Sequence, residues 1–353
     1  MAKPFRIAFV GVDHPHGAGW RELLLNLGDD VEIAAIVPRY DGGLASLEER
    51  NAGAARFETV DDLVADGQFD GAIVALPNNE GPEAVVKLAR AGKHVLAEKP
   101  VARSADEARP IIDAVKATGV ALQTGYTWRY DDATNRLRDM VTDGRFGKVI
   151  SVEMTFVTSD VTRRGPGHYL FDPQVSGPGY FNWLACHYLD LAMYVLGQSV
   201  VGVTARTGVF GDVPVEMEDG GVALLDLSGG GLVTFIGGYW IPRWAGEAHW
   251  CLRGSKRWVH WDPNRPGTGG VLEIHGPKPQ WHAMEETFVL PPDETKGYAG
   301  RQGLALVRDW IDAARAGGRP CRNTPESMVS TLEIIDTILR ASAEGRRIEC
   351  QIG

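Results

Sequence analysis

Glu98-Lys99-Pro100 follows directly on the short apolar run His94-Val95-Leu96-Ala97. In a parallel α/β sheet, a lysine at the end of such a run stands at the carboxyl edge, where ligands bind. Its ammonium can donate a hydrogen bond to a substrate oxygen and stabilise negative charge developing there. A lone lysine in such a place reads as a solvated loop residue, so the chemistry depends on what the rest of the chain brings.

Gly11-Val12-Asp13-His14-Pro15-His16-Gly17 lies between the first predicted strand and the first predicted helix, the place of a dinucleotide fingerprint. In G-x-G-x-x-G the glycines supply a tight turn, close backbone approach to the pyrophosphate, and helix–strand packing. Gly11 holds the first position, Asp13 the second and His16 the third. A carboxylate at 13 repels a pyrophosphate unless it points away. Gly11, Asp13, His14 and His16 are the candidate cofactor contacts of this turn, and a turn that binds no nucleotide is the competing reading. At the end of the second strand, Pro38 takes the place of the acid that contacts the adenosine ribose, and Arg39 follows. Arginine can pair with a 2′-phosphate. This end therefore reads either as NADP preference or as a solvated arginine, and NADP or NAD stays open.

Three further segments join these. Leu76-Pro77-Asn78 ends an apolar run; Tyr126-Thr127-Trp128-Arg129-Tyr130 follows the last predicted strand of the first half; and Gly177-Pro178-Gly179 leads into Trp183, His187 and Asp190. On a helix, positions 183, 187 and 190 share one face. With Glu98-Lys99-Pro100, these segments and the overall layout resemble the glucose–fructose oxidoreductase / inositol dehydrogenase / MocA (Gfo/Idh/MocA) family over essentially the whole chain.

The resemblance implies an active-site lysine, Lys99, beside Glu98 and Pro100. It also implies a helix signature D-x-x-x-H-x-x-D, in which His187 and Asp190 match and Trp183 replaces the first aspartate. His187 would exchange the hydroxyl proton while hydride passes between a sugar carbon and nicotinamide, a role that suits imidazole because its pKa lies near neutral. Lys99 would polarise the same oxygen. Trp183 would offer an apolar platform to a sugar ring, and Asp190 would touch substrate or orient a neighbour. Pro77 and Asn78 match an edge near the nicotinamide ribose, with Gly81 where the family carries a histidine. Arg129 matches a nucleotide or substrate contact, or ties the domains together. Trp128, Trp183, Trp240 and Trp244 are candidate carbohydrate platforms. The loop with Arg163, Arg164, His168 and Asp172 is a candidate lid or oligomer contact, His168 being its candidate substrate ligand.

The expected function is therefore an NAD(P)-dependent oxidoreductase acting on a sugar, sugar derivative or cyclic polyol. Two alternatives use the same scaffold: a retained nicotinamide that oxidises the sugar transiently for elimination or hydrolysis, and a ligand-binding protein that has lost catalysis. The cysteines lack Cys-x-x-Cys spacing, and His14 and His16 lack further ligands nearby, so no metal is expected. G-x-S-x-G, the hydrolase elbow, is absent.

The elements that must position these residues follow from periodicity. Phe5–Val10 reads as a strand buried on both faces, His16–Leu27 as a helix closed by Gly28, Val31–Val37 as the second strand and Leu44–Ala52 as helix. Phe69–Leu76, His94–Ala97 and Val120–Thr124 are strands. They alternate with helices Pro82–Ala91 and Ser104–Ala117, the latter opened by a Ser104/Glu107 capping box. This alternation predicts a Rossmann-type doubly wound parallel sheet over residues 1–125. Residues 126–353 are expected to form an α+β substrate-binding and oligomerisation domain. Its elements are helices 134–142, 182–196, 300–316 and 325–343, and strands within 148–158, 200–209, 221–227, 232–236, 248–252, 257–261 and 271–274. These strands predict an open, mostly antiparallel sheet.

Bulk properties agree. At 353 residues the chain exceeds one ordinary core, and its 44% hydrophobic and 23% charged residues are those of a globular protein. A net charge of −10 speaks against nucleic acid, which wants a basic face. Four widely spaced cysteines fit reduced thiols in a cytoplasmic protein. A strand pattern beginning at Phe5 leaves no room for a signal peptide, and no segment reaches the roughly 18 apolar residues of a membrane span. An uncovered sheet face predicts a homo-oligomer, dimer or tetramer.

Overall fold

The computed structural model describes every residue except 1, 2, 15, 43, 45–50, 52, 213, 243, 244, 264–269 and 277–283. Most of the predicted helix Leu44–Ala52, the platform Trp244 and the side chain of Arg163 therefore lie outside the described residues. The chain divides into two compact units, Met1–Tyr130 with Glu294–Val329, and Asp131–Asp293 with Ser330–Gly353.

In the first unit, strands β1 (Phe5–Val10), β2 (Val31–Val37), β3 (Ala55–Arg56), β4 (Gly71–Val74), β5 (His94–Ala97) and β6 (Leu122–Thr124) form one parallel sheet in the order β3-β2-β1-β4-β5-β6. This is the doubly wound order, with its switch point between β1 and β4. β4 and the last three residues of β5 are buried throughout, as their unbroken apolar runs require. The first helix is shorter than predicted, Gly17–Leu24. A 3₁₀ turn around Gly28, whose φ is 53°, takes up Leu25–Asp30. Ser104 accepts from Glu107 N at 3.4 Å as a cap should, but the Glu107 carboxylate reaches back to Arg103 N at 3.1 Å rather than to Ser104. A helix at Val60–Asp66, capped by Thr59, was not anticipated.

The sequence division at 125/126 assigns the helix Gly300–Arg315 to the second half, whereas the structure packs it into the first unit. Its face of Leu306, Val307, Trp310, Ile311, Ala313 and Ala314 is buried among Phe5, Ile7, Trp20 and Leu23 of the sheet core. Trp310 meets Phe5 edge-on at 5.4 Å. Asn323 Nδ2 donates to the carbonyls of Thr124 at 2.6 Å and Tyr126 at 3.3 Å, tying this returning segment to the end of β6.

The second unit carries a nine-stranded sheet. Its strands are β7 (Val149–Ser159), β8 (Val200–Gly208), β9 (Gly220–Leu227), β10 (Leu232–Ile241), β11 (Gly246–Gly254), β12 (Trp258–Asp262), β13 (Val271–His275), β14 (Met284–Val289) and β15 (Ile348–Ile352). The order is β14-β13-β12-β11-β7-β10-β9-β8-β15; β7 and β10 run parallel and the other pairs antiparallel. One face is buried beneath an aromatic layer in which Tyr188 lies 4.7 Å from Phe156, 6.3 Å from Phe235 and 6.2 Å from Trp250. Tyr188 belongs to the helix Cys186–Leu196 and the other three rings to β7, β10 and β11, so the sheet holds the helix bearing His187.

Trp310 is fully buried. Trp310→Ala should lower the unfolding free energy of the protein by about 3–5 kcal/mol, as truncation of a core tryptophan does. Urea unfolding checks this, and a loss below about 1 kcal/mol would mean that the returning helix is not part of the first core.

Candidate active site

The site of the first unit is built around one buried carboxylate. Glu98, 7% exposed, leaves β5 at the carboxyl edge. Its Oε1 accepts from Trp20 Nε1 at 2.8 Å and lies 3.1 Å from His16 Nδ1; its Oε2 accepts from Lys99 N at 2.9 Å. Three pieces of backbone, the turn after β1, the first helix and the exit from β5, are thereby held together. Burial pushes the Glu98 carboxyl up, but the hydrogen bond from His16 and the charges of His16, Lys99 and His14 outweigh it and bring it down to about 2. Lys99 is buried as well, 4% exposed, and joins Pro100 through a cis peptide bond.

The turn itself is tight. Gly11 has φ 71°, and a Cβ there would lie 2.2 Å from the Ala75 carbonyl oxygen at the end of β4, so only glycine fits. His14 N donates to Gly11 O at 2.9 Å and Gly17 N to His14 O at 2.6 Å. His14 is buried, accepts from His16 N through Nδ1 at 3.0 Å, and packs edge-on against Tyr40 at 5.3 Å. Burial is the main force lowering its pKa to about 4; His16 and Lys99 push the same way, while Glu98 and Asp13 oppose. Tyr298, from the returning segment, lies 4.9 Å from the His16 ring and 4.8 Å from Trp20.

Asp13 points away from the helix. Its carboxylate accepts from Arg39 N at 2.7 Å, Tyr40 N at 2.5 Å and Gly42 N at 3.2 Å. The Arg39 guanidinium is held by both oxygens of Glu80, at 2.8 and 2.5 Å. The helix Gly17–Leu24 begins with no side-chain cap and no acid in its first turn. An uncapped helix N-terminus after β1, at the switch point, has the donors a pyrophosphate needs. The residues present thus fit a dinucleotide, with the turn Gly11–Gly17 as its phosphate end.

The remaining predicted residues of this unit fall nearby in the fold or are committed elsewhere. Pro77 and Asn78 are buried just past β4, and the Pro77 carbonyl accepts from Glu80 N and Gly81 N at 2.9 Å each. Trp128 is half-buried. Arg129 is buried, and its Nη1 donates to the Arg322 carbonyl at 3.3 Å, while Arg322 Nη1 donates to the Arg129 carbonyl at 2.7 Å. Both belong to the first unit, so this contact braces the returning segment.

In the second unit, the glycine-rich approach to His187 is fixed by Glu218. Its carboxylate accepts from Gly179 N at 2.8 Å and Phe181 N at 3.0 Å. A Cβ on Gly179 would lie 2.0 Å from the Glu218 carbonyl oxygen, which explains the glycine. Phe181–Ala185 is a π-helical turn, followed by the α-helix Cys186–Leu196. The wider turn offsets Trp183 from the strict α-helical stacking over His187 that the sequence spacing predicts, a distortion common at functional sites. Trp183 is 8% exposed and meets Tyr169 edge-on at 6.4 Å; His187 is half-buried. Asp190, 1% exposed, accepts from Thr331 Oγ1 at 3.2 Å, an orienting contact. His168 caps its own 3₁₀ turn by accepting from Leu170 N at 3.3 Å, and burial lowers its pKa.

Comparison with known proteins agrees with this geometry. The family described as an oxidoreductase family with an NAD-binding Rossmann fold matches residues 5–126, and the GFO/IDH/MocA C-terminal domain matches residues 134–260. The chain belongs to the Gfo/Idh/MocA oxidoreductase family. Inositol 2-dehydrogenase of Rhizobium meliloti (strain 1021) is 28% identical over 324 residues, covering 90% of this chain and 92% of its own. The rhizopine catabolism protein MocA of Rhizobium meliloti is 28% identical over 311 residues, covering 87% and 86%. Among solved structures, levoglucosan dehydrogenase in complex with NADH has a TM-score of 0.86 at 17% identity, covering 99% of each chain. GenD2 from gentamicin A biosynthesis, in complex with NAD, has a TM-score of 0.80 at 25% identity, covering 99% and 97%.

Within this Gfo/Idh/MocA chain, four residues escape sequence reading: Glu80, Glu218, Tyr298 and Trp20 as a partner of Glu98. Each acts through a contact between distant segments, 37 residues apart for Glu218 and Phe181 and 78 for Trp20 and Glu98. Only the unusual Asp13 carried a signal, since a carboxylate in a fingerprint turn needs donors somewhere.

The two depressed groups define an acid-sensitive turn. An unfolded chain takes up a proton at His14 near 6.5 and the folded one only near 4, so folding loses stability as pH falls across that window. Glu98 adds a second loss as pH falls from 4.5 to about 2. His14→Asn should flatten the fall in unfolding free energy between pH 6.5 and 4, by up to about 3 kcal/mol. Urea unfolding at pH 7 and pH 4.5 measures it; an unchanged slope would show that His14 is not the group.

Proposed function

We propose that this protein is an NAD-dependent dehydrogenase acting on a CH–OH group of a sugar, sugar derivative or cyclic polyol. One observation carries the reading: a buried lysine at the carboxyl edge of β5, its backbone clamped by Glu98, in the same unit as an uncapped helix N-terminus after β1. Relatives named for inositol and levoglucosan support the substrate class.

A dinucleotide held at the turn Gly11–Gly17 would supply the nicotinamide as hydride carrier. Lys99 donates a hydrogen bond to the substrate oxygen and stabilises the alkoxide character that builds as the O–H proton leaves. His187 takes up the hydroxyl proton, and the carbon becomes a carbonyl once its hydride has also gone to the carrier; in the reverse direction His187 returns the proton. Trp183 gives the apolar face of a ring something to rest on. Asp190, bonded to Thr331, keeps the helix of His187 in register. His168 and Trp128 contribute to substrate binding. Lys99→Ala and His187→Asn should each lower kcat by about 10²–10⁴ while changing the dissociation constant for NADH by less than about threefold. Steady-state kinetics on a polyol panel and fluorescence titration read the two effects. Undiminished kcat in either variant would remove that residue from the chemistry.

The second unit is proposed to form a homo-oligomer through its sheet. Val222 and Ile236 are directly paired across β9 and β10 and are each 44% exposed; Leu232, on the same side of β10, is 43% exposed. A cavity of about 1010 Å³ beside them is lined by Phe210 and Trp240 as well. Contiguous apolar surface of this kind marks an interface. Ile236→Asp should reduce the mass measured by light scattering to that of one chain, 38.4 kDa. An unchanged mass would place the interface elsewhere.

A further inference from the structure

We propose that Asp13 supplies, from the turn after β1, the carboxylate that the end of β2 lacks, and that together with Glu80 it makes the site accept NAD and reject NADP. This rests on the dehydrogenase reading above and concerns the adenosine end of the same site.

An acid at the end of β2 ordinarily accepts a hydrogen bond from the adenosine ribose 2′-hydroxyl, and here that place is taken by Pro38. The carboxylate of Asp13 nonetheless sits there, on the amides of Arg39, Tyr40 and Gly42. Each carboxylate oxygen accepts about two hydrogen bonds. Oδ2 receives both Tyr40 N and Gly42 N, whereas Oδ1 receives Arg39 N and has capacity for one more donor. Asp13 is only half-buried, so a ribose hydroxyl can supply that donor.

A 2′-phosphate finds the opposite conditions. It has acceptors where the site needs a donor, and the three amides that would otherwise bind it are consumed by Asp13. The guanidinium best placed to recognise it, Arg39, is engaged at two points by Glu80. A cavity of about 320 Å³ beside this pair is lined by Pro38, Arg39, Asp41, Arg56, Phe57 and Glu58. With Asp13 and Glu80, the described groups amount to four carboxylates against two guanidiniums, and a dianion adds to the excess. The Arg39–Glu80 pair is exposed, however, and exposed pairs are weak. A competing outcome is therefore that a 2′-phosphate displaces Glu80 and captures Arg39.

The experiment is a tryptophan-fluorescence titration of the full chain with NADH and with NADPH, for the wild type, E80Q and D13N. The wild type should bind NADH at least tenfold more tightly than NADPH. E80Q, a surface change that frees Arg39, should narrow that preference at least fivefold by tightening NADPH. D13N should narrow it by weakening NADH. Equal or tighter binding of NADPH by the wild type would overturn the proposal, as would an unchanged ratio in E80Q, which tests it even where D13N fails to fold. Polyol oxidation with no preference between nucleotides would sink this assignment alone. An intact preference for NADH without oxidation of any polyol would support it and sink the dehydrogenase reading instead.

Discussion

The first unit depends on a charge placed where charges are costly. Glu98 is buried, and an ion in that position is tolerated only if its oxygens are filled and countercharges stand close. Both conditions are met by residues that also need positioning. The indole of Trp20 fixes the first helix against the sheet, the ring of His16 fixes the end of the fingerprint turn, and the amide of Lys99 fixes the exit from β5. The carboxylate is thus less a ligand for cofactor than a clamp that sets the distance between the phosphate end of the site and the lysine.

That clamp explains how a fingerprint with two of its three glycines missing can still serve. The glycine at the first position is retained because the backbone of Ala75 leaves no room for a side chain. At the second, Asp13 turns its carboxylate out to the loop after β2 and leaves the helix N-terminus free of negative charge. At the third, His16 swings into the Glu98 clamp instead of crowding the helix. Both departures become contacts between segments that glycine could not make, so the turn gains order from the residues that make its motif unrecognisable.

Much of this was legible in the sequence. Periodicity located the strands of the parallel sheet, because strands buried on both faces have no alternation to disguise them, and the two-residue β3 was too short to register. Lys99 and His187 stand on the elements where periodicity and the family resemblance put them, the exit from β5 and the helix Cys186–Leu196. The returning helix Gly300–Arg315 was seen as a helix but given to the wrong half, because an amphipathic stripe says that a face is buried and not against what. The π turn at Phe181–Ala185 was invisible for a different reason: it is set by two amides pinned to Glu218, a contact that no local pattern encodes. β14 lies in a stretch whose mixed polarity hides it until its partner β13 is in place, whereas β15 alternates apolar and polar residues as a strand does and was overlooked for its shortness.

The two units solve the same problem in different electrostatic ways. Glu218, half-buried, receives two backbone amides at the approach to the helix of His187, whereas the buried Glu98 receives one backbone amide, an indole N–H and a histidine ring. Burial drives the Glu218 pKa upward, and although the amides of Gly179 and Phe181 oppose the rise, the neighbouring Asp219 adds to it. Glu98 has the hydrogen bond from His16 and the charge of Lys99 at hand, and its pKa is brought down to about 2. The difference follows from what surrounds each clamp. Asp219 spends its own oxygens on Phe210 N, Gly211 N and Trp240 Nε1, so it stabilises an adjacent loop at the cost of raising its neighbour. A clamp whose ionisation is contested yields more readily to acid than one pinned by countercharge. The helix of His187 is therefore held by the more titratable of the two supports, while the lysine edge of the first unit is held by the less titratable one.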